Sequence, residues 1–472
     1  MKHFGKMIFG AAMIASFASC TNETDFGQGA AGQVEEGIPT YARITLNVNQ
    51  MGSRAPQNTA PSLSFEKDLQ GGVRIFVFDK NGVLEADKTF QENELTANGT
   101  GKKTAVIATK TGLKTIYAIA NPGTVKLDDL PKNLGDFKNY KFEAVEQTAN
   151  GAEPTVKVAT ENKFFMTGFE EKNLGKSDKE HPTNVKINVT RLAAKAALQL
   201  AATAKNTGAN FKPANTAVTA SDAKFQLVQM NKKSQIFVAD GAFSPTGSKV
   251  EQAAAAPTGL SYAHITSEDW NRTSWIDALA EGKDFKSNDL LYTNFAYTSE
   301  NINESPEVGN VTFAMIQVKL APTKFTDAGS LDVSGTFYAV AQYAADNTTK
   351  ADQIKAYHGI FSSEEKANEK IKELKAADGA GFYKLITYTN GLSYYRLNLR
   401  DKAIENNIIN RYAVKRNHYF KITVDAINNP GVNKAEDLFP GTATTPVEED
   451  AFIDATIEVD DWIDVDMTES LG

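Results

Sequence analysis

The last regular stretch of the chain alternates apolar and polar residues with a period of two. Ile453, Ala455, Ile457 and Val459 fall on one side of an extended strand, and Asp454, Thr456, Glu458 and Asp460 fall on the other. A Pro/Thr/Gly-rich spacer over 440–451 precedes it, and no hairpin partner follows. Such a strand has to find a sheet edge in its own chain or in a neighbour. Near the other end, Ile38–Met51 repeats the pattern, with Ala42, Ile44, Leu46 and Val48 on one face and Arg43, Thr45, Asn47 and Asn49 on the other. The residues Gly52, Ser53, Arg54, Ala55 and Pro56 then break it with loop chemistry.

The same patterning places strands between these two ends. Val73–Phe78 precedes a turn at Asp79–Gly82, and Lys103–Thr109 and Lys114–Ala120 flank Thr111 and Gly112. Phe164–Gly168 and Val185–Val189 follow. Leu127–Leu134 contains Pro131, which suits a sheet poorly and predicts a short helical turn. Val189–Leu200 has ambiguous periodicity; it reads as a strand crossing into a second domain, with a helix as the alternative. Lys224–Met230 and Gln235–Ala239 predict a hairpin. Tyr292–Tyr297, Val311–Leu320, Gly335–Tyr343, Phe382–Tyr388, Gly391–Arg396 and Arg416–Val424 continue the β pattern. One helix stands out, capped by Ser362 or Ser363, with Glu364 and Glu365 in its first turn and Ala367, Ile371 and Leu374 on one face. Strands at this spacing predict a mainly all-β chain built of β-sandwiches with a few short helices.

Composition narrows the function. At 472 residues, with 41% hydrophobic and 10% aromatic content, the chain can hold two or three domains with ordinary cores. Fifty basic against 58 acidic residues, net −8, argue against a nucleic-acid surface. One cysteine excludes a disulfide framework or a Cys-based zinc site, and the five histidines show no ligand spacing. No nucleophile elbow or phosphate loop occurs, and acid runs such as Asp460–Asp461 or Glu448–Asp450 read as solvated charge. No catalytic residue, cofactor or metal is expected. Trp270, Trp275, Tyr394 and Tyr395 suggest a sugar platform, but isolated aromatics are more often core or rim.

The first residues form an address. Met1–Ser19 has a basic start, the apolar run Met7–Phe17 and small residues before Cys20, the layout of a secretory signal. Phe17, Ala18 and Ser19 before Cys20 resemble a bacterial lipobox, although Phe17 stands where leucine is usual; the alternative is a plain signal with a chance cysteine. Lipidation of Cys20 would carry the precursor to the outer membrane, with 21–37 as a tether. Arg54, in a small-residue loop, is the natural bond for an arginine-specific protease, leaving Ala55 as the new N-terminus. Arg43 lies inside a strand and Arg74 begins one, so pairing protects both. The alternative is that Arg54 is a loop arginine and the strand stays. The first reading makes the leading strand removable, with Ala42, Ile44, Leu46 and Val48 leaving a groove. The trailing strand of another copy fills it through Ile453, Ala455, Ile457 and Val459, with Trp462 and Ile463 as an added anchor. Such a head-to-tail contact does not close and gives filaments.

Several segments resemble one family. The lipobox cysteine, Tyr117–Pro122, Phe165–Gly168, Val189–Lys195, Thr298–Asn301 and Tyr412–Tyr419 look like the Bacteroidales fimbrillins, in particular the shaft subunits of the short (minor) fimbriae of Porphyromonas. The likeness spans most of the chain. It implies a lipoprotein precursor with two sandwich domains of transthyretin-like topology. It also implies removal of the first strand by an arginine-specific gingipain at Arg54, and a donor segment at Ala451–Val465, the arrangement of type V pili. The expected division is a signal over 1–19, a propeptide with the removable strand over 20–54, sandwiches over 55–190 and 191–447, and a donor tail over 448–472. Expected partners are further copies of the chain, anchor and tip accessory subunits, and host or bacterial surface receptors. The rival expectations are a fimbrial anchor or tip accessory subunit, or a surface glycan-binding lipoprotein.

Overall fold

In the computed structural model, which describes residues 34–48, 59–60, 63–98, 102–127, 129–146, 155–205, 217–231, 233–237, 272–287, 289–303, 305–439, 447 and 453–462, the leading strand Pro39–Val48 lies inside an eight-stranded sheet. The strand order is Leu84–Phe90, Val73–Asp79, Gly112–Ala120, Met166–Leu174, Thr183–Arg191, Pro39–Val48, Lys102–Lys110 and Thr96–Asn98. Met166–Leu174 meets Thr183–Arg191 only through the pairs Met166–Arg191 and Thr167–Thr190. The sheet therefore turns a corner there, and its two halves close over one core. Ile44, Leu46, Ile107, Val185 and Ile187 from one half join Val73, Ile75, Val77 and Ile116 from the other. Phe76, Phe78 and Tyr117 pack around Phe137, with ring centroids 4.8, 5.0 and 5.3 Å away. The helical turn that holds Phe137 falls at Leu134–Lys138, beyond the expected 127–134. Asn133 decides the start, because its side chain accepts a hydrogen bond from the Asp136 amide.

The ambiguous stretch after Val189 is two strands. Thr183–Arg191 ends in the first sheet, and after Leu192 the strand Ala193–Leu200 enters a five-stranded sheet. There it runs parallel to His418–Ile427 and antiparallel to Ala296–Ser299. Both of its faces are covered: Ala193 and Ala197 join the first core, while Ala194, Ala196 and Leu198 join a second. A strand buried on two sides loses its alternation, which is why its sequence read equally as helix.

The second core adds Phe225 and Leu227 of Ala217–Val228, Ile316 and Val318 of Phe313–Lys324, and Tyr395 and Leu397 of Leu392–Asn398. It also takes residues of a three-stranded sheet made of Ile354–Phe361, Phe337–Tyr343 and Phe382–Tyr388. The helix Glu364–Ala377 stands as expected. Ser363 caps it, accepting from the Lys366 amide at 3.3 Å, and Ala367, Ile371 and Leu374 pack beside Val340 and Phe361.

One expected hairpin does not form. Ala217–Val228 pairs with Phe313–Lys324 and with Ile276–Asp277, whereas Lys233–Gln235 pairs with Lys141–Glu143 of the first half. Burial explains the detour: Ile236 and Phe237 enter the first core, and the Phe237 ring lies 4.3 Å from Tyr117. The segment at Tyr292–Tyr297 is a 3-10 turn at Tyr292–Asn294 followed by the strand Ala296–Ser299. Tyr395 is buried, the tilted rings of Trp275 and Tyr394 are 6.4 Å apart, and Trp270 lies outside the described residues.

Candidate functional site

The leading strand is hydrogen-bonded on both sides. It runs parallel to Thr183–Arg191, with Ala42 opposite Thr183, Ile44 opposite Val185 and Leu46 opposite Ile187. It runs antiparallel to Lys102–Lys110, with Ala42 opposite Ile107 and Ile44 opposite Ala105. The inward face is closed to water: Ala42, Ile44 and Leu46 are 0, 1 and 2% exposed, and Val48 is half-buried where the strand ends. Side chains tie its first half. Thr40 Oγ1 donates to the Gly175 carbonyl at 2.8 Å, the Ser177 amide donates to Thr40 Oγ1 at 2.9 Å, and Ser177 Oγ donates to the Tyr41 carbonyl at 2.7 Å. Withdrawing such a strand strips main-chain partners from two neighbours and opens an apolar slot. The burial of Ile44 and Leu46 represents about 1.5–3 kcal/mol each.

The trailing strand Ile453–Trp462 is seated on its own chain, antiparallel to His418–Ile427. Ala455 lies opposite Val424, Ile457 opposite Ile422 and Val459 opposite Phe420. The expected alternation holds, since Ala455 and Ile457 are each 5% exposed while Thr456 and Glu458 are open to solvent. Polar contacts hold it down. Lys402 Nζ donates to the Ala455 carbonyl at 2.7 Å, Thr456 Oγ1 donates to an Asp425 carboxylate oxygen at 2.7 Å, and Lys421 Nζ meets Glu458 at 2.5 Å. Among the described residues, its other edge is paired only by Thr59–Ala60, in parallel with Asp461 and Trp462. The tail therefore has one full strand neighbour where the leading strand has two. The backbone of Ile453 pairs with Ile427. Cys20, Arg54, Ala55 and Ile463 lie outside the described residues.

A third constellation joins the two cores, and the hydrophobic pattern did not reveal it. Lys195, on the face of Ala193–Leu200 that turns toward the first core, reaches Glu66 with Nζ 2.7 Å from Oε1. The ammonium also lies over the rings of Phe295 and Tyr419, at 4.5 and 4.4 Å. Burial pulls the Lys195 pKa down to about 8 against the opposing pull of Glu66. Arg191 Nε donates to the Glu66 carbonyl at 2.8 Å and its Nη1 to Asn417 at 3.3 Å. Arg416 grips Glu300 with two bonds, at 2.6 and 2.9 Å, and donates to the Gln235 carbonyl at 2.7 Å. The available signal was a lysine and an arginine inside an otherwise apolar strand pair. These charges sit in segments that carry the family resemblance.

Among the described residues the chain is β-rich, with its leading strand inside one sheet and its trailing strand paired in another. Two family models match, one described as major fimbrial subunit protein (FimA) over residues 42–219, the other as major fimbrial subunit protein type IV, fimbrillin, C-terminal, over 386–468. The chain is 23% identical over 459 residues to a minor fimbrium subunit, Mfa1, of Porphyromonas gingivalis, covering 92% of this chain and 88% of that one. A fimbrilin structure from P. gingivalis covers 90% of this chain and 99% of its own at 16% identity, with a TM-score of 0.42. The tip fimbrial protein Mfa3 of the same organism, truncated at its C-terminus, covers 90% and 100% at 12% identity, with a TM-score of 0.36. The protein is a subunit of cell-surface fimbriae. It belongs to the Bacteroidales fimbrillins, close to the minor fimbrium subunit.

Proposed function

We propose that this fimbrillin is a shaft subunit that polymerises by replacing its leading strand with the trailing strand of another copy. The observation that carries the reading is the seat of Pro39–Val48, between two strand neighbours, with Ala42, Ile44 and Leu46 at most 2% exposed. A slot with two open edges and an apolar floor is a template for strand addition. The trailing strand supplies a matching face in Ile453, Ala455, Ile457 and Val459, with Trp462 and Ile463 beyond it. Moving from an edge seat to an internal one adds a second ladder of main-chain hydrogen bonds, which offsets the contacts given up at home. Donor and slot belong to different sheets of one subunit, so the contact is head-to-tail and extends without closing.

Cleavage after Arg54 by an arginine-specific protease is the trigger, with Ala55 as the first residue of the mature subunit. Neighbouring arginines are poorer targets. Arg43 is paired inside the leading strand, and Arg74 meets Asp87 at 2.7 Å. Until the cut, the native strand blocks the slot. Lipid on Cys20 delivers the precursor to the outer membrane, and the assembled fibre supports adhesion to host or bacterial surfaces and biofilm growth. The proposed division is into sandwiches over 55–190 and 191–447, with Ile236, Phe237, Phe295, Tyr297 and Tyr419 of the second stretch packing into the first core. An anchor would keep its first strand and its lipid, and a tip would lack a use for one of the two ends.

The test is assembly of protease-treated chains, followed by electron microscopy and N-terminal sequencing. Wild-type chains are expected to begin at Ala55 and form filaments. Chains ending at Asp450 are expected to stay monomeric but folded, and Arg54→Ala to remain uncut. Filaments from the truncated chain would end the proposal.

A further inference from the structure

We infer that the incoming tail enters the vacated slot in the direction of the leading strand and in one register, with Ala455 in the place of Ala42, Ile457 in that of Ile44 and Val459 in that of Leu46. The inference rests on the exchange reading above and adds what selects the register.

The two strands carry the same sequence of sizes on their buried faces. Ala42, Ile44 and Leu46 read small, branched, large, and Ala455, Ile457 and Val459 read the same way to within one methylene. Ala42 carries the smallest side chain of the three and is 0% exposed, between Thr183 and Ile107. An interior at native density rejects an added side chain there.

The alternatives fail one by one. Sliding by one residue turns Thr456 and Glu458 into the core. Sliding by two in one sense puts Ile457 on the alanine site and Asp461 on the Leu46 site, which is 2% exposed, so a carboxylate would be buried without a partner. Sliding by two in the other sense puts Ile453 on the alanine site and leaves Ala455 under-filling the Ile44 site. Reversing the strand about Ile457 overfills the alanine site with Val459 and hollows out the Leu46 site with Ala455.

Charge agrees with size. In the inferred register Glu458 takes the place of Thr45, which is 9% exposed and whose parallel partner is the exposed Lys186, so the carboxylate has a cation beside it. At home Glu458 is held by Lys421, so it leaves one cation and meets another. In the reversed arrangement, and in the slide that brings Ile453 to the alanine site, Thr456 faces Lys186 instead.

Disulfide trapping in assembled fibres tests this, because directly paired strand positions lie within cross-linking reach. Full chains carry Cys20→Ser, Thr183→Cys and one tail substitution among Ile453→Cys, Ala455→Cys, Ile457→Cys and Val459→Cys. They are cut with an arginine-specific protease, assembled and oxidised, and covalent ladders are read on a denaturing gel. Ala455→Cys is expected to give at least about tenfold more ladder than the other three. A second pair, Val185→Cys with Ile457→Cys, reads the same register should Thr183→Cys impair folding. A dominant ladder from Ile453→Cys, Ile457→Cys or Val459→Cys against Thr183→Cys would overturn the register or the direction and leave the exchange standing. Fibres that form with no ladder from any pair would overturn the exchange along with it.

Discussion

Lys195 Nζ and Glu66 Oε1 are 2.7 Å apart, with 1 and 0% of their side chains exposed. Glu66 belongs to the short turn that follows the leading segment, and its other oxygen accepts from the Leu63 amide at 2.7 Å. Lys195 belongs to the strand shared by both cores. A single ion pair thus fastens the beginning of the proposed mature chain to the junction of the two halves. The same pair costs desolvation, so its effect is felt mainly when one partner is lost.

Removing one partner alone, by Glu66→Leu or Lys195→Met, is expected to destabilise the protein by about 3–5 kcal/mol. The double change Glu66→Leu with Lys195→Met should recover most of that loss. Chemical denaturation of the three variants reads the coupling, and additive losses in the double variant would show that the two side chains act separately.

The lowered pKa of Lys195, about 8 against an ordinary 10.5, predicts the sign of a pH effect. Between those values the unfolded chain holds a proton that the folded chain has released. Stability from this group therefore rises as pH climbs from about 8 toward 10.5. Wild-type protein compared with Lys195→Met between pH 7.5 and 9.5 should show the rise in the first only.

His418 gives the acid counterpart. It is half-buried at the start of the strand that seats the tail, paired with Asp461 through the backbone, and loss of hydration with Lys415 nearby lowers its pKa to about 3. The unfolded chain takes up the proton near 6.5 and the folded chain does not. The contribution is present above pH 6.5 and is lost as pH falls toward 3. Replacing the imidazole by His418→Gln should flatten that part of an acid-unfolding profile followed by circular dichroism.

Local signals found what local forces decide. The alternation in Ala42–Val48 and in Ala455–Val459 was legible because each strand has one buried face. The cap of Glu364–Ala377 was legible because Ser363 bonds within its own turn. The stretch Ala193–Leu200 resisted because both faces are covered. The failed hairpin after Val228 turned on where Phe237 finds an aromatic nest, more than a hundred positions away in the chain. The home seat of the tail on His418–Ile427 was equally out of reach, since a strand pattern states that a partner is needed and not which one.

Gly168 marks the corner where the first sheet turns. A Cβ there would stand 2.0 Å from the Asn188 carbonyl oxygen and 3.1 Å from an Ile187 methyl. The oxygen belongs to the backbone of the strand beside the leading strand, so it has no rotamer to move into. Gly168→Ala is expected to lose several kcal/mol of stability or to fail to fold. Expression level and melting temperature compared with a control at half-buried Gly175, Gly175→Ala, where nothing lies within 4 Å of the added carbon, separate the corner clash from a general cost of replacing glycine.

Leu46→Ala distinguishes a strand that is lost from one that stays. In the uncut chain the side chain is 2% exposed within the first core, and its truncation should cost about 2–5 kcal/mol through lost transfer energy and the cavity left behind. Under the proposed exchange the substitution departs with the cut segment. Fibres assembled from the variant should then match wild-type fibres in their resistance to denaturant, although the precursor is weaker. The matching change in the donor, Ile457→Ala, should weaken both states, because its side chain is 5% exposed in its own chain's second core before the cut and becomes part of the neighbour's core after assembly. Denaturation curves of uncut monomer and finished fibre for both variants give four measurements, and a Leu46→Ala fibre as weak as its precursor would mean that the leading strand never left.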